Sequence, residues 1–203
     1  MKILTICGSL RRESYNKMLI ETLPRYAPDG WEFEASVSIG DMPHYSEDLD
    51  TETPPEAVRL FREQIESADA LYWAMPEFNH SIPGVLKNAL DWATHPLNKA
   101  SLVGRIVAVS VVTQGRGGFR GMADLARILR DLGNFVIPAP ELCVQFAHEC
   151  FTRNTEGEVH VGNAITEKLL KVQLNNIKEA VDNKMGQNAG VSWSRFFDSM
   201  SVL

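Results

Sequence analysis

Apolar, strand-length runs alternate along this chain with segments whose apolar residues recur at helical spacing, and the alternation begins on a strand. Residues 3–7 (Ile-Leu-Thr-Ile-Cys) form the first run, and a helix marked by Tyr15, Met18, Leu19 and Leu23 follows it. Trp31, Phe33, Ala35, Val37 and Ile39 alternate as a strand with unlike faces. Val58, Phe61, Ile65 and Ala68 mark a second helix, and residues 70–75 a short buried strand stopped by Pro76. A third helix is predicted over 82–93, a β-branched strand over 106–112, and a fourth helix at Met122, Leu125, Ala126 and Leu129. A short strand at 135–137 ends at Pro138-Ala139-Pro140, and Leu170, Leu174, Ile177 and Val181 mark the last long helix. Five strands separated by helices imply a parallel sheet covered on both faces, with right-handed crossovers. A chain starting on a strand suits the doubly wound order 2-1-3-4-5.

Size and charge narrow what such a sheet does. The 203 residues fit one domain, expected over 1–185, with a C-terminal extension over 186–203 that is either flexible or docks Trp193, Phe196 and Phe197 on a partner. The net charge of −6 lacks the basic stripe of a nucleic-acid binder and disfavours an anionic membrane surface. No apolar run reaches bilayer-spanning length, and the first run ends in Gly8-Ser9 rather than a signal cleavage site, so a cytoplasmic protein is expected. The three cysteines argue against a disulfide framework. Cys7 reads as a buried, inert thiol, and His148 with Cys150 lacks the partners of a metal site, so no metal is expected. Trp73 and Trp92 read as packing or subunit contacts.

Ligands of a doubly wound sheet sit beyond the carboxyl ends of the strands, at the switch in strand order. That places the loops after strands 1, 3 and 4 together. In the first, Gly8 permits a sharp exit from the strand, while Ser9, Arg11, Ser14 and Asn16 offer donors beside a helix start. The combination suits a phosphate; the plainer alternative is that Ser14 is only an N-cap and Arg11 and Arg12 are solvated. The loop lacks Gly-Lys-Ser/Thr and Gly-x-Gly-x-x-Gly, so a mononucleotide fits better than a dinucleotide. In the second loop, Pro76-Glu77-Phe78-Asn79 offers backbone amides, a flat apolar ring and a carboxamide to a planar heterocycle. The third, Thr113-Gln114-Gly115-Arg116-Gly117-Gly118, allows close backbone approach, as would a plain surface turn.

Gly-Ser-x-Arg-x-x-Ser-x-Asn after strand 1, with Pro-Glu-Phe-Asn-x-Ser-x-Pro-Gly-x-Leu-Lys-Asn-x-x-Asp-Trp after strand 3, resembles the NAD(P)H-dependent FMN reductases, which include chromate, azo-dye and quinone reductases. The resemblance covers about residues 1–140 and implies a flavodoxin-like three-layer α/β sandwich and a homodimer or homotetramer. It implies that Ser9, Arg11, Ser14 and Asn16, with Tyr15, hold the FMN phosphate. Pro76, Glu77, Phe78 and Asn79 would line the isoalloxazine, and Thr113, Gln114, Gly115, Gly117 and Gly118 would close its other side. The family often has Tyr at Phe78 and a smaller residue at His80, which places His80 at the acceptor site. Arg116 and Arg120 are candidates for the extra phosphate of NADPH, or are solvated charges. The implied activity is hydride transfer from NADPH or NADH to a small acceptor (quinone, azo compound, metal oxyanion or flavin) in a ping-pong order, with no side chain as general base. The alternatives are a flavodoxin-like electron carrier serving a protein partner, and a binding module without flavin. Arg11 and the modest charge favour the reductase, since carriers usually use a Ser/Thr-rich loop and a strongly acidic face.

Overall fold

Strand residues that are apolar on both sides of the pleat need cover on both faces, and that requirement organises the molecule. The computed structural model describes residues 1–96 and 100–200, with side chains described through Arg195. Strands β1 (Lys2–Cys7), β3 (Ala70–Met75) and β4 (Ile106–Val112) form the centre, and every residue of β3 and β4 is buried. With β2 (Glu32–Ala35) and β5 (Phe135–Val136) at the margins, the parallel order is β2-β1-β3-β4-β5, the order expected from the sequence.

Period two divides the core. Leu4, Ile6, Leu71, Trp73 and Met75 pack under α2 (Glu56–Ser67), α3 (Gly84–Thr94) and α4 (Phe119–Asp131). Their neighbours Ile3, Tyr72 and Ala74 face α1 (Tyr15–Tyr26) and α6 (Ala164–Asp182). On that second side, Tyr72 Oη, Ser110 Oγ and Gln173 Oε1 lie within 2.6 to 3.2 Å of one another, which fixes α6 against the sheet centre. The result is the three-layer arrangement the alternation implied.

Several boundaries differ from the sequence expectation, each for a local reason. The alternation over 31–39 predicts a longer second strand than the one that pairs, Glu32–Ala35. Beyond it, Ser36 makes a last bond to Thr5, and the Val37 N–H donates to Gln64 Oε1 instead. The third helix starts at Gly84, not residue 82, because Ser81 is paired with Phe78. The fifth strand resumes after Pro140: β6 (Leu142–Val144) pairs with the end of β4 while β5 pairs with its beginning. A hairpin of β7 (Phe151–Arg153) and β8 (Val159–Val161) follows a one-turn α5 (Ala147–Cys150) and packs on α1.

Residues 185–200 form a helix, α7 (Met185–Met200). A Cβ at Gly186 would stand 2.5 Å from the Gly104 carbonyl, and one at Gly190 2.9 Å from the Gly104 Cα, so this helix seats its backbone directly on Gly104. Trp193 packs on Gly133. The partner contacts expected of Phe196 and Phe197 lie outside the described side chains. Among the described residues, no helix is long and apolar enough to cross a membrane.

Candidate functional site

The loop after β1 leaves the sheet at Gly8, whose N–H donates to the Ala74 carbonyl at 2.8 Å. A Cβ there would stand 2.7 Å from the Met75 Cβ, closer than side chains pack, so only glycine lets the chain cross β3. Ser14 is the N-cap of α1, its Oγ accepting from the Asn16 N–H at 3.2 Å. Asn16 donates to the Val112 carbonyl and accepts from the Val112 N–H, both at 3.2 Å. Its carboxamide therefore ties the start of α1 to the end of β4. Among the described residues neither the Ser9 hydroxyl nor the Arg11 guanidinium makes a hydrogen bond, and the Arg11 guanidinium lies 5.4 Å from the Tyr15 ring centre. Cys7 is half-buried rather than buried; its thiol donates to the Ser9 carbonyl at 3.5 Å, and burial pushes its pKa up.

The loop after β3 is a tight hairpin. Phe78 and Ser81 exchange backbone bonds at 3.0 Å, and Asn79 and His80 between them have φ of 50° and 64°. Two positive φ values in a two-residue turn match type I′, where Asn-Gly is favoured. The imidazole of His80 is 74% exposed, so little opposes its replacement. His80→Gly should raise stability by about 0.5 kcal/mol, the relieved left-handed strain less glycine's chain entropy. A urea midpoint measured at unchanged m value checks this.

Two bonds tie this hairpin to α4. Glu77 Oε2 accepts from the Gly121 N–H at 2.8 Å, and Ser81 Oγ donates to Asp124 Oδ2 at 2.7 Å. A carboxylate at a helix start satisfies an orphan donor and the positive end of the dipole. Glu77 thus spends its charge on α4, with His80 Nδ1 3.7 Å away.

The loop after β4 is held from two sides. Thr113 Oγ1 donates to the Gly115 carbonyl at 2.9 Å. Gly117 and Gly118 have φ of 115° and 100°, and a Cβ at Gly118 would stand 2.6 Å from Cys143 Sγ. Burial, then the nearby Glu77 and Glu141, push the Cys143 thiol up to about 11.

The three loops enclose a cavity of about 430 Å3, within the usual range for small-molecule sites. Ser9, Arg11, Ser14, Tyr15 and Asn16 line it from the first loop, Pro76, Glu77 and Phe78 from the second, and Thr113, Gln114, Gly115, Arg116 and Gly118 from the third. Asn79, His80, Gly117 and Arg120 are not among the lining residues. Asn79, His80 and Gly117 shape their loops instead, and Arg120 lies on the exposed side of the first turn of α4. Val112, which sequence reasoning passed over as a strand residue, also lines the cavity; its signal was its place next to Thr113 at the strand end. The lining combines the α1 N-terminus, with a serine and an arginine, with a 56% exposed Phe78 and a backbone-rich loop. That pairing of an anion seat with a flat apolar surface fits a phosphate ester of a planar ring. Among the described residues, no group of three or more His, Cys, Asp or Glu is placed to hold a metal.

The family model for NADPH-dependent FMN reductases matches residues 1–149. A quinone reductase of Pseudomonas putida is 42% identical over 118 residues, 58% of this chain and 63% of that protein; the chain thus matches less than two thirds of that relative's length. The quinone reductase of Escherichia coli K12 is 39% identical over 143 residues, covering 70% of this chain and 76% of the relative. Among solved structures, the flavoenzyme FerB of Paracoccus denitrificans, an NAD(P)H:(acceptor) oxidoreductase, superposes with a TM-score of 0.80 at 32% identity, covering 90% of this chain and 98% of that one.

Proposed function

The chain belongs to the NADPH-dependent FMN reductase family, and from that premise we propose that it binds FMN in the cavity at the sheet edge and passes electrons from NADPH or NADH to a small acceptor, a quinone first among them. The observation that carries the reading is the convergence of the loops after β1, β3 and β4 on one cavity with the α1 N-terminus at its end.

In this reading Ser9, Arg11, Ser14, Tyr15 and the first backbone amides of α1 hold the phosphate, by charge, hydroxyl donors and dipole. Asn16 holds the helix start in register with β4. Pro76, Glu77 and Phe78 on one side, and Val112, Thr113, Gln114, Gly115 and Gly118 on the other, seat the ring. Asn79 and Gly117 set the shape of these walls from outside the lining. Bound there, FMN supplies hydride acceptance and donation. The protein contributes position and fixed dipoles, and no side chain is needed as acid or base. Donor and acceptor share one cavity, so they take turns in a ping-pong order. His80 lies outside the lining and is 74% exposed, on the same hairpin as Phe78, from which it would meet acceptors of larger size. Leu10, Phe78 and Phe119 are each more than half exposed on the loops and helix start at this same edge, which supports a homodimer or homotetramer formed there.

Reconstituted protein should oxidise NADPH or NADH when a quinone is added; flavin-loaded protein inert to every donor and acceptor pair would fit an electron carrier instead. Arg116 lines the cavity and Arg120 does not, which supports Arg116 as the partner of the NADPH phosphate. Arg116→Ala should raise the KM for NADPH about tenfold, the loss of one charge-assisted hydrogen bond, while the KM for NADH stays put. An unchanged ratio of the two KM values removes Arg116 from that role.

A further inference from the structure

The Gly117 carbonyl accepts two bonds from residues outside the cavity lining. Cys143 Sγ on β6 donates to it at 3.1 Å, and Gln145 Nε2, just past the end of β6, at 3.0 Å. The Gly117–Gly118 peptide is trans, so its N–H points opposite to its carbonyl. With the oxygen drawn toward β6, the N–H of Gly118 points away from β6, on a residue that lines the cavity. Among the described hydrogen bonds, none uses that N–H. Both glycines have positive φ, and a glycine pair rotates its shared peptide with little steric resistance. The orientation therefore needs an outside hold, and Gln145 and Cys143 are that hold. The raised pKa of Cys143 keeps its thiol protonated, hence a donor, at neutral pH.

We propose that Gln145, assisted by Cys143, is a positioning residue that fixes the Gly117–Gly118 peptide with its N–H toward the cavity, supplying a ready hydrogen-bond donor for the negative charge that bound flavin gains on reduction. A donor fixed in advance where charge develops stabilises it without reorganisation. The inference rests on the FMN reading above, and adds to it a residue that touches neither cofactor nor substrate.

The test is the midpoint potential of bound FMN, measured in wild type, Gln145→Leu and Gln145→Glu. Gln145→Leu frees the carbonyl, and Gln145→Glu sets a carboxylate against it. The preference of the site for reduced over oxidised flavin should fall about tenfold in Gln145→Leu, which is roughly 30 mV more negative for a two-electron couple, and further in Gln145→Glu. Cys143→Ser, which keeps a donor, should hold the wild-type potential, while Cys143→Ala moves it in the same direction as Gln145→Leu by less. If Gln145→Leu does not fold, the Cys143 pair decides. A potential unchanged in the folded, flavin-loaded variants overturns the proposal. Deuterium exchange of residues 114–118 in flavin-free protein separates this from the cofactor question: exchange should rise in Gln145→Leu, and exchange that does not rise overturns the hold itself. A wild type that takes up no flavin would sink the FMN reading, leaving the exchange arm to decide the hold.

Discussion

Gly8→Ala should strip the protein of flavin and lower its melting temperature together. The added methyl meets the Met75 Cβ at 2.7 Å and the Leu86 Cδ2 at 3.3 Å, and Met75 presents backbone-fixed atoms that have no free rotamer to retreat into. Overpacking of this kind costs about 2–3 kcal/mol, which for a chain of this length is roughly 5–10 °C in Tm. The strand can relieve the clash only by moving the loop that begins at Gly8, and that movement breaks the Gly8 bond to Ala74. FMN affinity should therefore fall by more than about tenfold, or 1.4 kcal/mol, because the amides and Ser9 no longer meet the phosphate together. Thermal melts with and without FMN measure both effects. A variant that melts early yet keeps wild-type FMN affinity would show that Gly8 serves packing alone.

Arg62→Leu should destabilise at least as much without touching the cofactor. The Arg62 guanidinium donates to Asp50 at 2.9 Å, to the Trp92 carbonyl at 2.9 Å and to the His95 carbonyl at 2.6 Å, and the side chains of Arg62 and Asp50 are only 15% and 5% exposed. It pins the long acidic loop after β2 across α2 and α3. Removing one partner of a buried pair leaves the other charge uncompensated, at a cost of about 3–5 kcal/mol. Flavin affinity at 25 °C should stay within about twofold, since no residue of this cluster lines the cavity. Adding Asp50→Ala to Arg62→Leu should restore part of the loss, because the orphaned carboxylate is then gone. A loss confined to less than about 1 kcal/mol would mean the pair is screened by water as at a surface.

The central sheet was legible because its signals are one-dimensional. β-branched and apolar runs with no polar face mean burial on both sides, and Gly8, Pro76 and the glycines after β4 mark the strand exits. The lining residues were legible for the same reason: topology alone brings the loops after strands 1, 3 and 4 to one edge, and Ser9, Arg11, Phe78 and Gln114 sit inside them. What sequence could not show is how each polar side chain is spent. Asn16 looks like a ligand donor and, while lining the cavity, also braces Val112; Glu77 looks like a cavity wall and also caps α4. Asn88, read from the motif without a task, and Trp92, read as a packing or subunit contact, both donate to the Pro43 carbonyl, at 2.9 and 2.8 Å, and so hold the loop after β2. That accounts for Trp92 as packing. The hold on Gly117 depends on β6, a strand that the run Pro138-Ala139-Pro140 hid by appearing to end the sheet. The β7–β8 hairpin and the seating of α7 on Gly104 escaped for a related reason: both depend on contacts distant in sequence.

The phosphate seat at the α1 N-terminus is the claim on which the functional account turns, and titrating flavin-free protein with FMN and with riboflavin, by calorimetry in one buffer, tests it most directly. The expected result is one FMN per chain, with riboflavin weaker by on the order of 100-fold, the loss of two charge-assisted bonds to a missing phosphate. Equal affinity for the two flavins, or no binding of either, would contradict it.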